Sequence, residues 1–482
     1  MKTAQQYVES LKKLEPVVYA FGKRLENLID HPLVRPHVSA AAMTHHLAFK
    51  PEHEDLMTVT SHLTGKKINR FTHIHQSTQD LINKVKMLRM IGQRTGTCFQ
   101  RCVGFDALNA LYTVTYEMDE KLGTRYHERF LKYLRTVQDE DLMCAGSMTD
   151  PKGDRSLSPS QQPDPDLFVH VVEKRADGIV VRGAKAHQTG IVNSHEFICM
   201  PTIALGEADR DYAVAFALPV DAPGVIHIFG RQTNDSRKME GTVDQGNAKF
   251  GIVGGEALTV LNDVFVPWER VFMCGEYQFA GLLVERFASY HRQNYGGCKV
   301  GVSDVIIGAT AAIAEYNGAA KASHVKDKIV EMCHLAETLY GGSIACSCEG
   351  QRTPSGAYFV DALLANTVKQ NITRYIYEIC RLAHDIAGGF IATLPSEQDL
   401  RSPEVGKYVE KYFRGAAHIP TEQRFRMARL IENMTGGTAL AESMHGAGSP
   451  QAQRIMILRQ SNLDFKKKLA EALAGIRQPA EP

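Results

Sequence analysis

The sequence has almost no excess of either charge, with 55 Lys and Arg against 54 Asp and Glu, so no basic surface for DNA or RNA is expected. The opening Met1–Ser10 lacks the apolar core of a signal peptide. No run approaches the roughly 20 uncharged apolar residues that a membrane helix needs. A cytoplasmic protein with no membrane partner is expected. Internal repeats are missing. So is any Gly-x-Gly-x-x-Gly or P-loop after a strand, which excludes a Rossmann unit as the holder of a nucleotide cofactor. Paired Cys-x-x-Cys knuckles are absent too, and the ten cysteines are not spaced like those of a small disulfide-stapled domain. Reduced thiols are expected.

What is present is an ordinary globular composition, 44% hydrophobic and 23% charged over 482 residues, enough for two or three structural units. Apolar residues recur at helical spacing up to about residue 140, as in Tyr7, Leu11 and Leu14 and in Val85, Leu88 and Ile91. Turn residues from Met148 to Arg155 and a Ser, Pro and Gln-rich stretch over 156–166 break that pattern. Short apolar runs then follow: 167–174 and 179–185 flanking a hairpin signal at Asp177-Gly178, and 197–200, 212–218, 225–229 and 258–261. From Tyr277 the helical spacing returns, for example over 327–339 and 376–383. The expected fold is α+β and mainly α: an N-terminal helical domain over 1–145, a middle β domain over 146–275 and a C-terminal helical bundle over 276–482.

Chemistry concentrates in a few places. Cys98 and Cys102 are four apart, which on a helix puts both thiols on one face. His291, Tyr295 and Cys298 stand at i, i+4 and i+7, again one face. Three thiolates and an imidazole suit either a structural zinc or an iron–sulfur cluster. For Cys98 and Cys102 alone, two packed core cysteines are the simpler reading. The Gly296-Gly297 pair beside Cys298 would let a bulky group come close. The other seven cysteines, Cys144, Cys199, Cys274, Cys333, Cys346, Cys348 and Cys380, sit among apolar neighbours and read as buried packing. Glu442 stands in a run of small residues where a carboxylate needs a partner, and Glu256 after Gly254-Gly255 reads equally as a turn. Tyr295 could complete a core and Lys299 a solvated face.

These segments, with Leu56–Ser61, His75–Thr78, Cys98–Gly104, Met148–Arg155, Gly183–Gly190, Ala288–Gln293 and Glu442–Arg454, resemble the 4-hydroxybutyryl-CoA dehydratases over essentially the whole chain. Those enzymes belong to the superfamily of 4-hydroxyphenylacetate 3-monooxygenases and acyl-CoA dehydrogenase-like flavoproteins. The resemblance implies an acyl-CoA dehydrogenase-like architecture, FAD, and a 4Fe-4S cluster held by Cys98, Cys102, His291 and Cys298. It implies an oxygen-sensitive homotetramer that dehydrates 4-hydroxybutyryl-CoA to crotonyl-CoA by a flavin-radical route, the cluster acting as Lewis acid, and that isomerises vinylacetyl-CoA. Acid–base roles would fall to His291, Glu442, Tyr295, Lys299 and Glu256. FAD contacts would fall to Thr149, Arg155, Gln188 and Thr189, and to the backbone at Gly388-Gly389, Gly446 and Gly448, for which plain turn roles are equally expected. A flavin-dependent aromatic monooxygenase of the 4-hydroxyphenylacetate hydroxylase type is the alternative. An acyl-CoA dehydrogenase, or an assembly protein with a structural metal, leaves more of these residues unexplained.

Overall fold

Helix boundaries in the first third follow their local chemistry in the computed structural model, which describes residues 1–476. The helix Thr78–Thr95 begins at Ser77, whose hydroxyl accepts from the Asp80 amide, and ends at Gly96 in the left-handed region. Cys102–Leu122 and Tyr126–Asp139 follow. The latter buries Tyr126, Phe130, Tyr133, Leu134 and Val137 at helical spacing and lays that stripe on the β region.

That β region holds two sheets. Six strands run in the order Lys23–Arg24, Val17–Ala20, Val225–Phe229, Glu256–Pro267, Gly178–Thr189 and His170–Lys174. Four more run Val271–Cys274, Val214–Pro219, Glu196–Cys199 and Cys144–Ser147. The stretch read as helical to residue 140 therefore also supplies strands: Val17–Ala20 lies parallel to Val225–Phe229. A four-residue run is too short to show a period, and its partner lies some two hundred residues on, so only tertiary pairing settles it. The hairpin at Asp177-Gly178 forms, but neither residue has positive φ. Residues 175–177 connect the strands, closed by Arg175 N–H donating to the Gly178 carbonyl at 2.8 Å.

The C-terminal region is a helical bundle built on Ala280–Tyr316, with Ser323–Cys348, Ala362–Ala387 and Thr421–Met434 packed on it. Among the described residues the segment Tyr277–Tyr316 alone is long and apolar enough to cross a membrane. Here it is surrounded by protein instead, buried on every side from Phe287 to Gly297, as expected of a helix apolar all round. Thr78–Thr95 and Cys102–Leu122 from the N-terminal region also pack on it.

The glycines of this helix set how closely its neighbours come. A Cβ at Gly297 would lie 2.7 Å from the Val85 carbonyl oxygen, and one at Gly92 would lie 2.7 Å from that of Cys298. Gly296 instead faces the Leu339 carbonyl, 2.6 Å from a built Cβ. The Gly296-Gly297 pair thus admits two neighbouring helices rather than a bulky ligand group. Gly297→Ala is expected to cost about 1–3 kcal/mol through overpacking, read as a fall in melting temperature; an unchanged value would contradict this crossing.

Four of the seven cysteines expected to be packing residues are buried, Cys144, Cys199, Cys346 and Cys380, while Cys274 is partly so. Cys333 and Cys348 are exposed, because both lie on solvent-facing positions of Ser323–Cys348, whose apolar neighbours in sequence turn to the other side.

Candidate functional site

The Thr78–Thr95 helix stops at Gly96, and the loop 96–101 leads into Cys102–Leu122. Cys98 sits in that loop and Cys102 is the first residue of the helix, so the two thiols do not share a helical face as their spacing predicts. Gln100, at φ +67°, turns the chain between them. Cys298 projects from the central helix, whose tight crossing with Thr78–Thr95 fixes its height. The three thiols fall within electrostatic reach of one another: Cys98 and Cys298 each disfavour the Cys102 thiolate. Burial is the larger cause, and it pushes the Cys298 thiol up to about 12 and those of Cys98 and Cys102 up as well. Each is a free cysteine.

His291 lies about two turns before Cys298 on the same helix, with its ring between Phe287 and Tyr295. Its Nδ1 is 2.7 Å from the Asp106 carboxylate. Asp106 also accepts from the buried ammonium of Lys84 and from the Asn294 amide. His291 Nε2 has no hydrogen-bond partner among the described residues.

On the other side of the thiols, Lys299 is ion-paired with Glu442, which the helix Gly437–His445 carries. Burial pulls the Lys299 ammonium down, but Glu442 and the thiols outweigh it and the net shift is upward. Glu256 accepts from the Thr189 hydroxyl at 2.9 and 2.8 Å. Burial, with the charge of Glu442 second, pushes its carboxyl up to about 8. Tyr295 is buried, its phenol raised first by burial and then by Glu442 and the thiols. The β region reaches this cluster through Gln100, whose side chain abuts Gly190 and Gly254.

The metal and acid–base candidates of the sequence therefore come together: Cys98, Cys102, His291 and Cys298 with Tyr295, Lys299, Glu442 and Glu256. Gly446 joins them, since a Cβ there would strike the Tyr295 hydroxyl, and Gly448 lies beside the Arg292 guanidinium. Thr149 and Gln188 meet one loop away, where the Gln188 amide donates to the Thr149 carbonyl at 3.1 Å. Arg155 is exposed on a turn. Gly388 and Gly389 end the helix Ala362–Ala387 facing open space, apart from the cluster.

Three residues at the site were not singled out by sequence. Lys369 is fully buried and donates to the Ser443 and Met444 carbonyls at 2.7 and 3.0 Å, which pins the end of the helix bearing Glu442. Its ammonium stands 4.4 Å from the Tyr295 ring centroid, and burial draws its pKa down to about 7. Asp106 and Lys84 form the pair behind His291. The available signal was a charge on an otherwise apolar helix face, as in Cys102-Val-Gly-Phe-Asp106. Lys369→Met keeps the bulk but frees two carbonyls, and a buried acceptor left unpaired costs about 1–3 kcal/mol. A drop in melting temperature with loosened Glu442 should follow; unaltered stability would contradict the pinning role.

No three His, Cys, Asp or Glu side chains among the described residues are grouped tightly enough to hold one metal ion. A four-iron cluster asks for something different, since each of its ligands binds a separate iron and the donors stand further apart. Three soft sulfurs and one imidazole match the donor chemistry that such a cluster takes.

Models of the 4-hydroxyphenylacetate 3-hydroxylase family match the chain in two parts, the N-terminal model over residues 3–273 and the C-terminal model over 280–475. A curated relative from Clostridium aminobutyricum, described as 4-hydroxybutyryl-CoA dehydratase/vinylacetyl-CoA-Delta-isomerase, is 59% identical over 99% of this chain and 100% of its own length. A solved structure described as an oxygen-tolerant archaeal 4-hydroxybutyryl-CoA dehydratase from N. maritimus superposes with TM-score 0.97 at 54% identity, covering 100% of this chain and 96% of that one. A glutaryl-coenzyme A dehydrogenase superposes at TM-score 0.53 and 12% identity, over 100% of this chain and 97% of its own; this likeness concerns the fold alone, which is acyl-CoA dehydrogenase-like.

Proposed function

Because the chain belongs to the 4-hydroxyphenylacetate 3-hydroxylase family and, within it, to the 4-hydroxybutyryl-CoA dehydratases, we propose that it converts 4-hydroxybutyryl-CoA to crotonyl-CoA and isomerises vinylacetyl-CoA to the same product. The observation that carries this reading is the meeting of three thiols and His291 beside the buried Lys299–Glu442 pair and Glu256. Hydroxylation of a phenol, the activity for which the family is named, gives those thiols nothing to do.

Cys98, Cys102, Cys298 and His291 would hold a 4Fe-4S cluster. FAD would lie between the β region and the bundle, near Thr149, Gln188 and Thr189. Arg155 would lie in the same loops toward the pyrophosphate, Gly388-Gly389, Gly446 and Gly448 would approach the cofactor through their backbone from a neighbouring subunit of a homotetramer, and the enzyme would work in the cytoplasm. When bound, the cluster would supply a Lewis acid toward the 4-hydroxyl and the flavin a one-electron acceptor that makes the β C–H acidic.

The chain's own residues would manage protons and charge. Glu256, with a pKa near 8, keeps its proton at neutral pH and is a donor for the departing hydroxyl. Glu442 is held by Lys299, so it is placed to take a proton from substrate carbon. Tyr295, kept neutral by burial, offers a further hydrogen-bond donor. The apolar side chains of Ile252, Val253, Ile306 and Ile376, which line the same pocket as Cys98 and Lys299, would keep bulk water from these groups.

The test is an anaerobic assay of full-length enzyme with 4-hydroxybutyryl-CoA, followed by product analysis. Crotonyl-CoA supports the reading. No crotonyl-CoA, with hydroxylation of 4-hydroxyphenylacetate when reduced flavin and oxygen are supplied, would overturn it. Iron counted before and after exposure to air tests the proposed oxygen sensitivity.

A further inference from the structure

Behind His291 the protein keeps a charge network with no contact to solvent. Asp106 is fully buried, as is Lys84. The Lys84 ammonium donates to Asp106 Oδ1 at 2.5 Å and to the Tyr290 carbonyl at 3.0 Å, and it stands over the Phe105 and Tyr290 rings. The second oxygen of the same carboxylate, Oδ2, lies 2.7 Å from His291 Nδ1. Asn294 approaches the same corner, its amide donating to Oδ2 and standing 3.2 Å from Nδ1.

Only one tautomer fits that corner. If Nδ1 carried a lone pair, it would face a carboxylate oxygen, also a lone pair, at 2.7 Å. A hydrogen on Nδ1 turns that repulsion into a short charge-assisted bond. The Asn294 contact, longer by half an ångström and to a neutral group, is too weak to reverse the choice. With the hydrogen on Nδ1, the free lone pair is on Nε2, the ring atom without a partner.

We propose that Asp106 is a positioning residue for His291: it fixes the Nδ1–H tautomer and the ring angle so that Nε2 is presented to iron, with Lys84 and Asn294 holding the Asp106 carboxylate in place. This rests on the cluster assignment of the preceding section and deepens it. Asp106 sits one helical turn after Cys102, so a single helix would supply one cluster ligand and aim another. Lys84 sits on the helix that crosses the central one at Gly297, which ties the aim of His291 to the same packing that places Cys298. Carboxylates behind metal-bound histidines act this way in general, and losing them costs about 10–100-fold in metal affinity.

The experiment uses the full-length, anaerobically purified holoenzyme and two variants, Asp106→Asn and the double variant Lys84→Met/Asp106→Asn, which leaves no stranded ammonium. Release of iron to a chelator is followed, with electron paramagnetic resonance spectra and flavin content. The expected result is release of one iron per cluster about 10–100-fold faster than in the parent, leaving the signal of a three-iron remnant, with flavin retained. Release at the parental rate, or loss of all iron and flavin together, would overturn the positioning role while leaving the cluster assignment standing. A parent enzyme without iron would sink both. Should neither variant fold, the parent labelled with 15N at only one imidazole position decides by electron–nuclear double resonance: strong coupling at Nε2 supports the inference, and strong coupling at Nδ1 contradicts it.

Discussion

Cys298→Ala is expected to yield a folded chain that retains no intact cluster and dehydrates 4-hydroxybutyryl-CoA at least about 10³-fold more slowly, since Lewis-acid assistance is worth several kcal/mol and each 1.36 kcal/mol is tenfold in rate. The fold should survive because Cys298 is only partly buried and alanine is smaller. The helix crossing beside it depends on glycine backbone contacts, not on this sulfur. Iron analysis, circular dichroism and the crotonyl-CoA assay on one preparation separate the outcomes. Full activity in this variant would refute the ligand assignment for Cys298.

The second large effect is expected at Glu442. Glu442→Gln would remove the proposed proton carrier, a loss of about 10²–10⁴-fold in kcat, while the four proposed cluster ligands stay in place. Iron and flavin contents should therefore match the parent, which distinguishes this variant from Cys298→Ala. A stability cost comes with it. Lys299 is buried and loses its one ion-pair partner among the described residues, and breaking a largely buried pair from one side costs up to about 3–5 kcal/mol, so the melting temperature should fall. A variant with normal iron, a lowered melting temperature and near-parental kcat would leave Glu442 a structural partner of Lys299 and nothing more.

Much of this arrangement is legible in the sequence because it is periodic or chemically rare. The helix, β, helix order follows from apolar spacing over long stretches, and the His291, Tyr295 and Cys298 face follows from helical geometry alone. Other parts need the third dimension. Cys98 and Cys102 have helical spacing but straddle a helix start, where Gly96 has already ended the preceding helix and Gln100 turns the chain; local spacing holds no trace of that break. Val17–Ala20 becomes a strand only because Val225–Phe229 lies beside it. Gly296-Gly297 reads as room for a ligand, yet the space is filled by two helices packing backbone to backbone. Asp106, Lys84 and Lys369 escape a sequence reading because a charge on a helix usually faces water; only their burial exposes a role. The convergence of distant thiols was suggested by their chemistry and by family resemblance, not by any local pattern.

The most direct test of the central claim is to count iron, acid-labile sulfide, zinc and flavin in full-length protein purified without oxygen, and to record its visible spectrum. Three thiols and one imidazole around a cluster next to FAD predict about four iron and four sulfide per chain, with a broad iron–sulfur shoulder beneath the flavin bands. Flavin alone, or stoichiometric zinc with no sulfide, would contradict it.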